Sequence, residues 1–535
     1  MRLLIICFTV ISLSAQAQHQ LEGNVQEAIA KAYAASVRMW GYDTATDKQM
    51  SAQFSAVVVS PRGDLLTAAH TSTPGKTYKV MFPDGREAIA LALGKIEMAD
   101  DPMVPDVSMM KIITPGAWPY AEMGYSASLK PDQPCISIAY PESLNQPLPV
   151  IRFGRITSTG NDRGFLQSTC IMEPGDSGGP LFDLLGRVIG IHSAINVPES
   201  LNYEIPVDLY RKFRTALATP KKYNALPPVT DTVGNDPLSA QLKIYEQPAA
   251  SSTTKDACLL ITSQLNGKEE KIYGASFAGG YIVSKSSMTG SEPLVHAGNK
   301  MIKATILRRD RENDLVLLQV KKGVRGGIRL PEAKPDSLSF QQLGKFLVSP
   351  RPDTASAISV AGSLPFSLPK ISSTGFLGAS VAYRSGPLLL TFVRKNSPAV
   401  ASGLREGDEV ISINGVALLK PEDYGAELQK YWPGDTVAIQ LKRQDSSYTR
   451  RIVLSEKPLI KATHPADMFT GGKSARRDGF ARVFAHDAVL TPDQCGGPVF
   501  DATGGFQGIN IARYSRTSTI VIPADVVWEF MRRSL

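Results

Sequence analysis

The sequence is poor in cysteine: five occur among 535 residues, and none forms a Cys-x-x-Cys pair. That excludes a disulfide-dense scaffold and a structural zinc site of the usual spacing. No motif implies a metal or any other cofactor. Long apolar runs are missing too. Beyond the first residues, nothing approaches the ~18 uninterrupted apolar residues of a membrane-spanning helix, so the mature chain is expected to be soluble. Charge of one sign is not concentrated. The net +8 comes from 58 basic and 50 acidic residues, and the compact cluster Arg308-Arg309-Asp310-Arg311 carries an acid inside it. This argues against a nucleic-acid partner.

The N-terminus reads as an address. Met1-Arg2 precedes a mostly apolar stretch, residues 3–13, and Ala15-Gln16-Ala17 puts small residues where a signal peptidase reads. Residues 1–17 are expected to be a signal peptide, which makes the protein periplasmic or secreted. An uncleaved anchor is the alternative, for which the run is short. Four cysteines then remain: Cys135, Cys170, Cys258 and Cys495. An oxidising compartment would permit a Cys135–Cys170 bridge without requiring one.

The length suggests three or four domains. With 44 Gly and 37 Pro, short strands and turns are favoured over long helices. Residues 54–59, 64–67, 107–112, 135–139 and 188–192 are rich in Val, Ile, Leu and Met and are punctuated by Gly, Pro and Asp. This pattern predicts a β-sandwich or a barrel pair. Residues 208–217 have helical spacing, and 219–238, with prolines at 220, 227, 228 and 237, read as a linker.

A weaker copy of the same order follows the linker. Gly280-Tyr281-Ile282-Val283-Ser284 parallels Gly63-Asp64-Leu65-Leu66-Thr67, and Asp314 with 315–318 parallels Asp106 with 107–110. Cys495-Gly496-Gly497-Pro498-Val499-Phe500-Asp501 parallels Ser177-Gly178-Gly179-Pro180-Leu181-Phe182-Asp183. Several matches in one order argue for a duplicated domain. The copy is interrupted, because Asp314 and Cys495 are much farther apart in the chain than Asp106 and Ser177.

Three motifs carry chemistry. Thr67-Ala68-Ala69-His70 ends an apolar strand, Asp106 opens another, and Gly175-Asp176-Ser177-Gly178-Gly179-Pro180 lies between two strands. A serine hydroxyl needs an adjacent base to act as a nucleophile at neutral pH. His70 can take its proton, and Asp106 can hold the imidazole and stabilise its charged form. The glycines let the backbone turn and aim the N–H groups of Gly175 and Ser177 at a developing oxyanion.

In this order and with these flanks, the chain resembles the chymotrypsin/trypsin superfamily; the few cysteines, the short N-terminus and the PDZ-like segment at 371–460 make it more similar to the bacterial HtrA branch. The resemblance implies a mostly β fold: tandem chymotrypsin-like double β-barrels plus a PDZ domain. It implies a catalytic triad of His70, Asp106 and Ser177. It also implies a primary pocket floored six residues before the serine, at Ile171. The absence of a carboxylate there points to a small or medium apolar side chain before the cut bond. His192 is a second candidate pocket residue, with a structural role as its alternative.

In the copy, the histidine position falls on Ser287, Asp314 is retained, Cys495 replaces the serine, and Asp493 stands where Gly175 does. A cysteine nucleophile without a base, beside a carboxylate, is expected to be silent. Residues 371–460 resemble a PDZ domain: Phe376-Leu377-Gly378-Ala379 matches the segment that binds a peptide's C-terminal carboxylate, and Ile413-Asn414-Gly415 closes a strand with a hairpin turn. A purely structural PDZ domain is the alternative.

The expected organisation is therefore a protease domain at 18–218, a linker at 219–238, a degenerate protease-like domain at 239–370 and 461–535, and a PDZ domain inserted at 371–460. The expected function is exported serine endopeptidase acting on unfolded or damaged proteins, with peptide C-termini as further partners and a homo-oligomer possible. A non-catalytic peptide-binding scaffold or holdase is the competing expectation.

Overall fold

The structure is a computed structural model and describes residues 18–97, 105–162, 164–246, 252–321, 324, 327–384, 386–458 and 462–535. The proposed signal peptide lies outside these residues. The chain divides into two compact units. One comprises residues up to 366 together with 462–474 and 482–535. The other comprises 367–461 and 475–481.

Among the described residues, the first unit opens with a helix over residues 18–32. A sheet then follows in the order Lys222–Tyr223, Glu87–Ile96, Thr77–Met81, Ser36–Asp43, Phe54–Val58, Asp64–Ala68, Val107–Ile112. Glu87–Ile96 also pairs with Val107–Ile112, so the sheet closes on itself. Burial alternates along Thr77–Met81 and most of Glu87–Ile96, the period-two signature of strands with one face inward. Val37, Met39, Val80, Ala90 and Met110 fill the interior. A second closed barrel follows, formed by Leu166–Ser168, Asn202–Pro206, Val188–Ile195, Pro180–Phe182, Pro134–Ala139 and Val150–Ser158. Its core includes Cys135, Cys170, Ile156 and Leu181. The two thiols are free, with sulfurs 3.9 Å apart. Val57, Leu66, Ile136 and Ile138 belong to a larger apolar cluster shared by the two barrels.

The remainder of this unit repeats the pattern. Cys258–Leu265, Lys268–Phe277, Tyr281–Lys285 and Leu315–Gln319 form the centre of one sheet. Phe346–Ser349, Pro498–Asp501, Phe506–Arg513 and Thr519–Pro523 are consecutive in another. The registers coincide with those of the first pair. Ala68 opposes Val107 as Lys285 opposes Leu315. Pro180 opposes Ile191 as Pro498 opposes Ile509, and both pairings shift register one residue on, after Leu181 and Val499.

The second unit is smaller. Glu409–Ile413, Val416–Ala417, Thr436–Arg443 and Ser446–Val453 form a sheet, Ala379–Val381 pairs with Leu390–Val393, and Pro398–Ala401 and Pro421–Leu428 are helices. Leu377, Leu390, Val410, Val437 and Ile452 lie in its core.

Candidate active site

Strand pairing brings the first two candidate residues together. Because Ala68 opposes Val107, the residues just beyond each strand end meet. The backbone N–H of His70 donates to Asp106 Oδ1 (2.8 Å), and Nδ1 lies 2.5 Å from Oδ2. Ser193 Oγ donates to the same Oδ2 at 2.8 Å. A proton on Nδ1, shared with the carboxylate, leaves Nε2 as the basic nitrogen. Burial pulls the His70 pKa down, but the hydrogen bond and charge of Asp106 more than reverse this, and His70 titrates above the ordinary histidine value. Its side chain is 44% exposed, so desolvation is partial and the carboxylate prevails.

The Ser177 loop is tied to both barrels. Ser55 N–H donates to Ser177 O (3.0 Å), Gly178 N–H to His192 O (2.8 Å), and His192 N–H to Gly179 O (2.8 Å). Gly175 has φ +95°, and a Cβ there would stand 2.4 Å from the nitrogen of Glu142, so only glycine fits. Among the described residues, neither the N–H of Gly175 nor that of Ser177 donates a hydrogen bond, and Ser177 Oγ makes none to His70. Ser177, Gly175 and His70 border one cavity of about 510 Å³, together with Phe54, Met172 and His192. This is the size of a small-ligand cleft.

Asp176, between Gly175 and Ser177, has a role that the sequence reading missed. Its two oxygens take both terminal nitrogens of Arg152, at 2.7 and 3.0 Å, and Oδ2 also accepts Glu173 N–H at 2.9 Å. Both side chains are 1% exposed. Burial pushes the Asp176 carboxyl up to about 6 against the opposing pull of Arg152. The pair anchors the loop from beneath. Arg152 belongs to no motif. The available signal was an arginine among the apolar residues of Val150–Ser158, matched by an acid in a tight glycine loop.

The pocket expectation needs one correction. Ile171 does not border the cavity, and Met172 does. After Leu166–Ser168 ends, the chain runs without regular structure to Glu173. Met172 is fixed there by its N–H to Asn202 Oδ1 (3.1 Å), so counting back a fixed six residues lands on the neighbour. His192 does border the cavity while being fully buried; its Nε2 shares a 2.7 Å hydrogen bond with Ser137 Oγ. Burial and the charge of Arg152 push its pKa down to about 3. Glu204 Oε1 lies 3.8 Å from His192 Nδ1 and accepts from Ser168 Oγ. Burial raises its pKa to about 8. His192 and Glu204 are thus both uncharged near neutral pH, while Glu142 and Glu173 also border the cavity.

The equivalent positions in the repeat keep the geometry and change the chemistry. Ser287 N–H donates to Asp314 Oδ1 (2.7 Å) and Ser287 Oγ to Oδ2 (2.8 Å). Lys285 Nζ reaches Oδ2 at 2.7 Å and Ile511 O at 2.8 Å. A cation therefore holds the carboxylate where Ser193 does in the first pair. Gly496 N–H donates to Asn510 O as Gly178 N–H does to His192 O. Before Cys495, however, Pro492–Gln494 is a 3-10 turn closed by a capping box, and Cys495 N–H donates to Pro492 O (3.3 Å). Cys495 is fully buried, and burial pushes its thiol pKa up against the opposing charge of Lys285.

In the smaller unit, Phe376 N–H and O both bond to Ser455 (2.8 and 3.1 Å), so that N–H is not available to a carboxylate. Leu377 is buried in the core of this unit. Gly378 has φ +82°, and a Cβ there would strike Ser397. Tyr424, on the helix Pro421–Leu428, donates its hydroxyl to Ala379 O at 2.8 Å. That carbonyl lies on the strand an added peptide would pair with.

Two family models match the chain. The family model described as trypsin-like peptidase domain matches residues 54–191, and that described as PDZ domain matches 375–454. Residues 54–191 are a trypsin-like peptidase domain. Residues 375–454 are a PDZ domain, and the fold is mostly β. The chain is similar to Serine protease HTRA1A of Danio rerio, 28% identical over 290 residues, covering 47% of this chain and 56% of that protein. It is 32% identical to Serine protease HTRA1 of Xenopus tropicalis over 170 residues (30% and 35%). It is 33% identical to a probable periplasmic serine endoprotease DegP-like of Marinomonas over 150 residues (28% and 30%). The matched regions thus span about half or less of these relatives' lengths. Among solved structures, the serine endoprotease from Yersinia pestis aligns with 81% of this chain and 98% of its own at 15% identity, with a TM-score of 0.30.

Proposed function

We propose that the chain is an exported serine endopeptidase that cleaves unfolded or damaged polypeptides. The observation that carries this reading is His70, braced through Nδ1 by Asp106, bordering one cavity with a serine on a glycine-built loop. In the proposed step, Ser177 Oγ attacks the scissile carbonyl as its proton passes to His70 Nε2. The carbonyl electron pair moves onto oxygen, where the N–H groups of Gly175 and Ser177 receive it. Collapse breaks the C–N bond, and His70 returns the proton to the departing amine. Water then repeats the sequence on the acyl-enzyme, releasing the acid and restoring Ser177. A small or medium apolar side chain before the cut bond suits a cavity bordered by Met172 and Phe54.

The repeat at 239–370 and 461–535 is, on this proposal, a degenerate protease domain that serves as scaffold. Its retained register argues for common descent, and its buried thiol and occupied N–H argue against catalysis. Peptide C-termini are proposed ligands of the PDZ domain, with Tyr424 as a competitor for the strand edge. Export is supported by the composition of the first 17 residues and by relatives named periplasmic. Incubating full-length wild type and Ser177→Ala protein with unfolded casein tests the reading: fragments are expected only from wild type, and equal cleavage by both would refute it.

A further inference from the structure

The cavity that holds Ser177 and His70 is also bordered by His464 and Pro465, which belong to the second half of the repeat. Their position is built in from below. Arg516, fully buried, donates from Nη1 to Val197 O (3.1 Å) and Pro465 O (3.2 Å), and from Nη2 to Pro198 O (3.0 Å). Arg513, also fully buried, pairs with Glu199 at 3.0 Å, and Thr470 N–H donates to the other oxygen of Glu199 at 3.2 Å. Two arginines of the repeat thus clamp residues 197–199 of the peptidase domain and seat the 464–470 segment beside them. His464 is exposed, and its Nδ1 accepts Ala466 N–H (3.1 Å), which caps the turn Pro465–Asp467 and fixes the ring.

The clamped residues continue the strand along which a substrate would lie. Pro180–Phe182 pairs with Val188–Ile195 only as far as Ile191, so Ser193–Ile195 presents an edge to the cavity. A peptide strand adding antiparallel to that edge, with its reacting carbonyl at Ser177, runs its acyl side from Ser193 toward Val197. His464 and Pro465 stand at that end. We infer that the repeat completes the substrate cleft: His464 and Pro465 form the wall that contacts side chains several residues to the acyl side of the cut bond. They would thereby select among extended substrates without touching the reacting atoms. This rests on the serine-protease reading above and extends it, since the degenerate half becomes part of the substrate site.

The test compares two Ser177-directed reagents on full-length protein: a small alkyl fluorophosphonate, and a phosphonate carrying a four- or five-residue peptide. His464→Ala is expected to slow inactivation by the peptidyl reagent by about fivefold to tenfold and to change its preference at the distal residues. Its rate with the small reagent should stay unchanged. Arg516→Met should do the same by releasing the wall; if that variant does not fold, Pro465→Ala replaces it without touching the buried clamp. Unchanged peptidyl rates and preferences in both His464→Ala and Pro465→Ala would overturn the inference. Wild-type protein unlabelled at Ser177 by either reagent would overturn the protease reading itself, and this inference with it.

Discussion

The loops before Ser177 and Cys495 share a frame and differ in what the frame presents. Both are followed by a glycine with positive φ, Gly178 at +81° and Gly496 at +90°. Both are latched to the neighbouring strand by equivalent hydrogen bonds, and each half holds a carboxylate by a backbone N–H. The differences are local. Gly175 permits a left-handed turn in which, among the described residues, the N–H groups of Gly175 and Ser177 have no partner, whereas Pro492–Gln494 forms a 3-10 turn that uses the N–H of Cys495. Asp106 faces an imidazole, whereas Asp314 faces a hydroxyl and an ammonium. On the proposed degenerate-copy reading, backbone register outlives catalytic chemistry. Register is fixed by core packing along whole strands, while the chemistry depends on a few side chains and one loop turn.

The comparison is broken most strongly at the nucleophile and base. Ser177→Ala or His70→Ala is expected to lower kcat by at least ~10³-fold, because the two act as a unit; steady-state cleavage of a fluorogenic peptide reads this. The anchor beneath the loop comes next. Arg152→Met leaves the buried Asp176 without its partner and is expected to cost about 3–5 kcal/mol in urea unfolding. Adding Asp176→Asn should recover part of it, and a midpoint unchanged by Arg152→Met would refute the anchoring role.

The pH dependence sharpens the comparison further. His70 must be neutral to act as base, and Asp106 raises its pKa. Activity should therefore fall as pH is lowered through a value above the ordinary histidine ~6.5, and Asp106→Asn should move that limb downward. The stability from the pair has the opposite sense: it is complete below the unfolded histidine pKa and is lost as pH rises through the raised folded value. A kcat/KM profile from acid to mildly alkaline pH decides the first, and chemical unfolding across the same range decides the second.

In the PDZ domain, Tyr424→Phe frees Ala379 O and should tighten binding of a peptide ending in an apolar residue by about threefold to tenfold. Calorimetry on full-length Ser177→Ala protein measures it, and weaker binding would assign Tyr424 to ligand recognition. The smallest expected effect is at Cys495→Ala, which should leave peptide hydrolysis unchanged.

Motifs made several strands of the first pair and the meeting of His70 with Asp106 legible, because both residues lie just beyond the ends of apolar strands that pair. What escaped lay between motifs. Arg152 and Ser193 act on the site through contacts distant in sequence, 24 residues to Asp176 and 87 to Asp106. Ile171 was misplaced because an offset counted along irregular chain carries no pleat to fix which side chain faces the cavity. The segment Phe376 to Ala379 was read as carboxylate-binding; in the structure the core takes the Leu377 side chain and Ser455 takes the Phe376 N–H. His464 gave no signal, since nothing local to it points to a cavity built mainly from residues 51–195.

The central claim is that one loop is a working nucleophile site and the other its silent counterpart. The most direct measurement exposes native full-length protein to a fluorophosphonate and to iodoacetamide together, then maps both adducts by mass spectrometry. The account predicts stoichiometric phosphonylation of Ser177 and an unmodified Cys495 until the protein is denatured. Rapid alkylation of Cys495 in the folded protein, or a Ser177 that stays unlabelled, would contradict it.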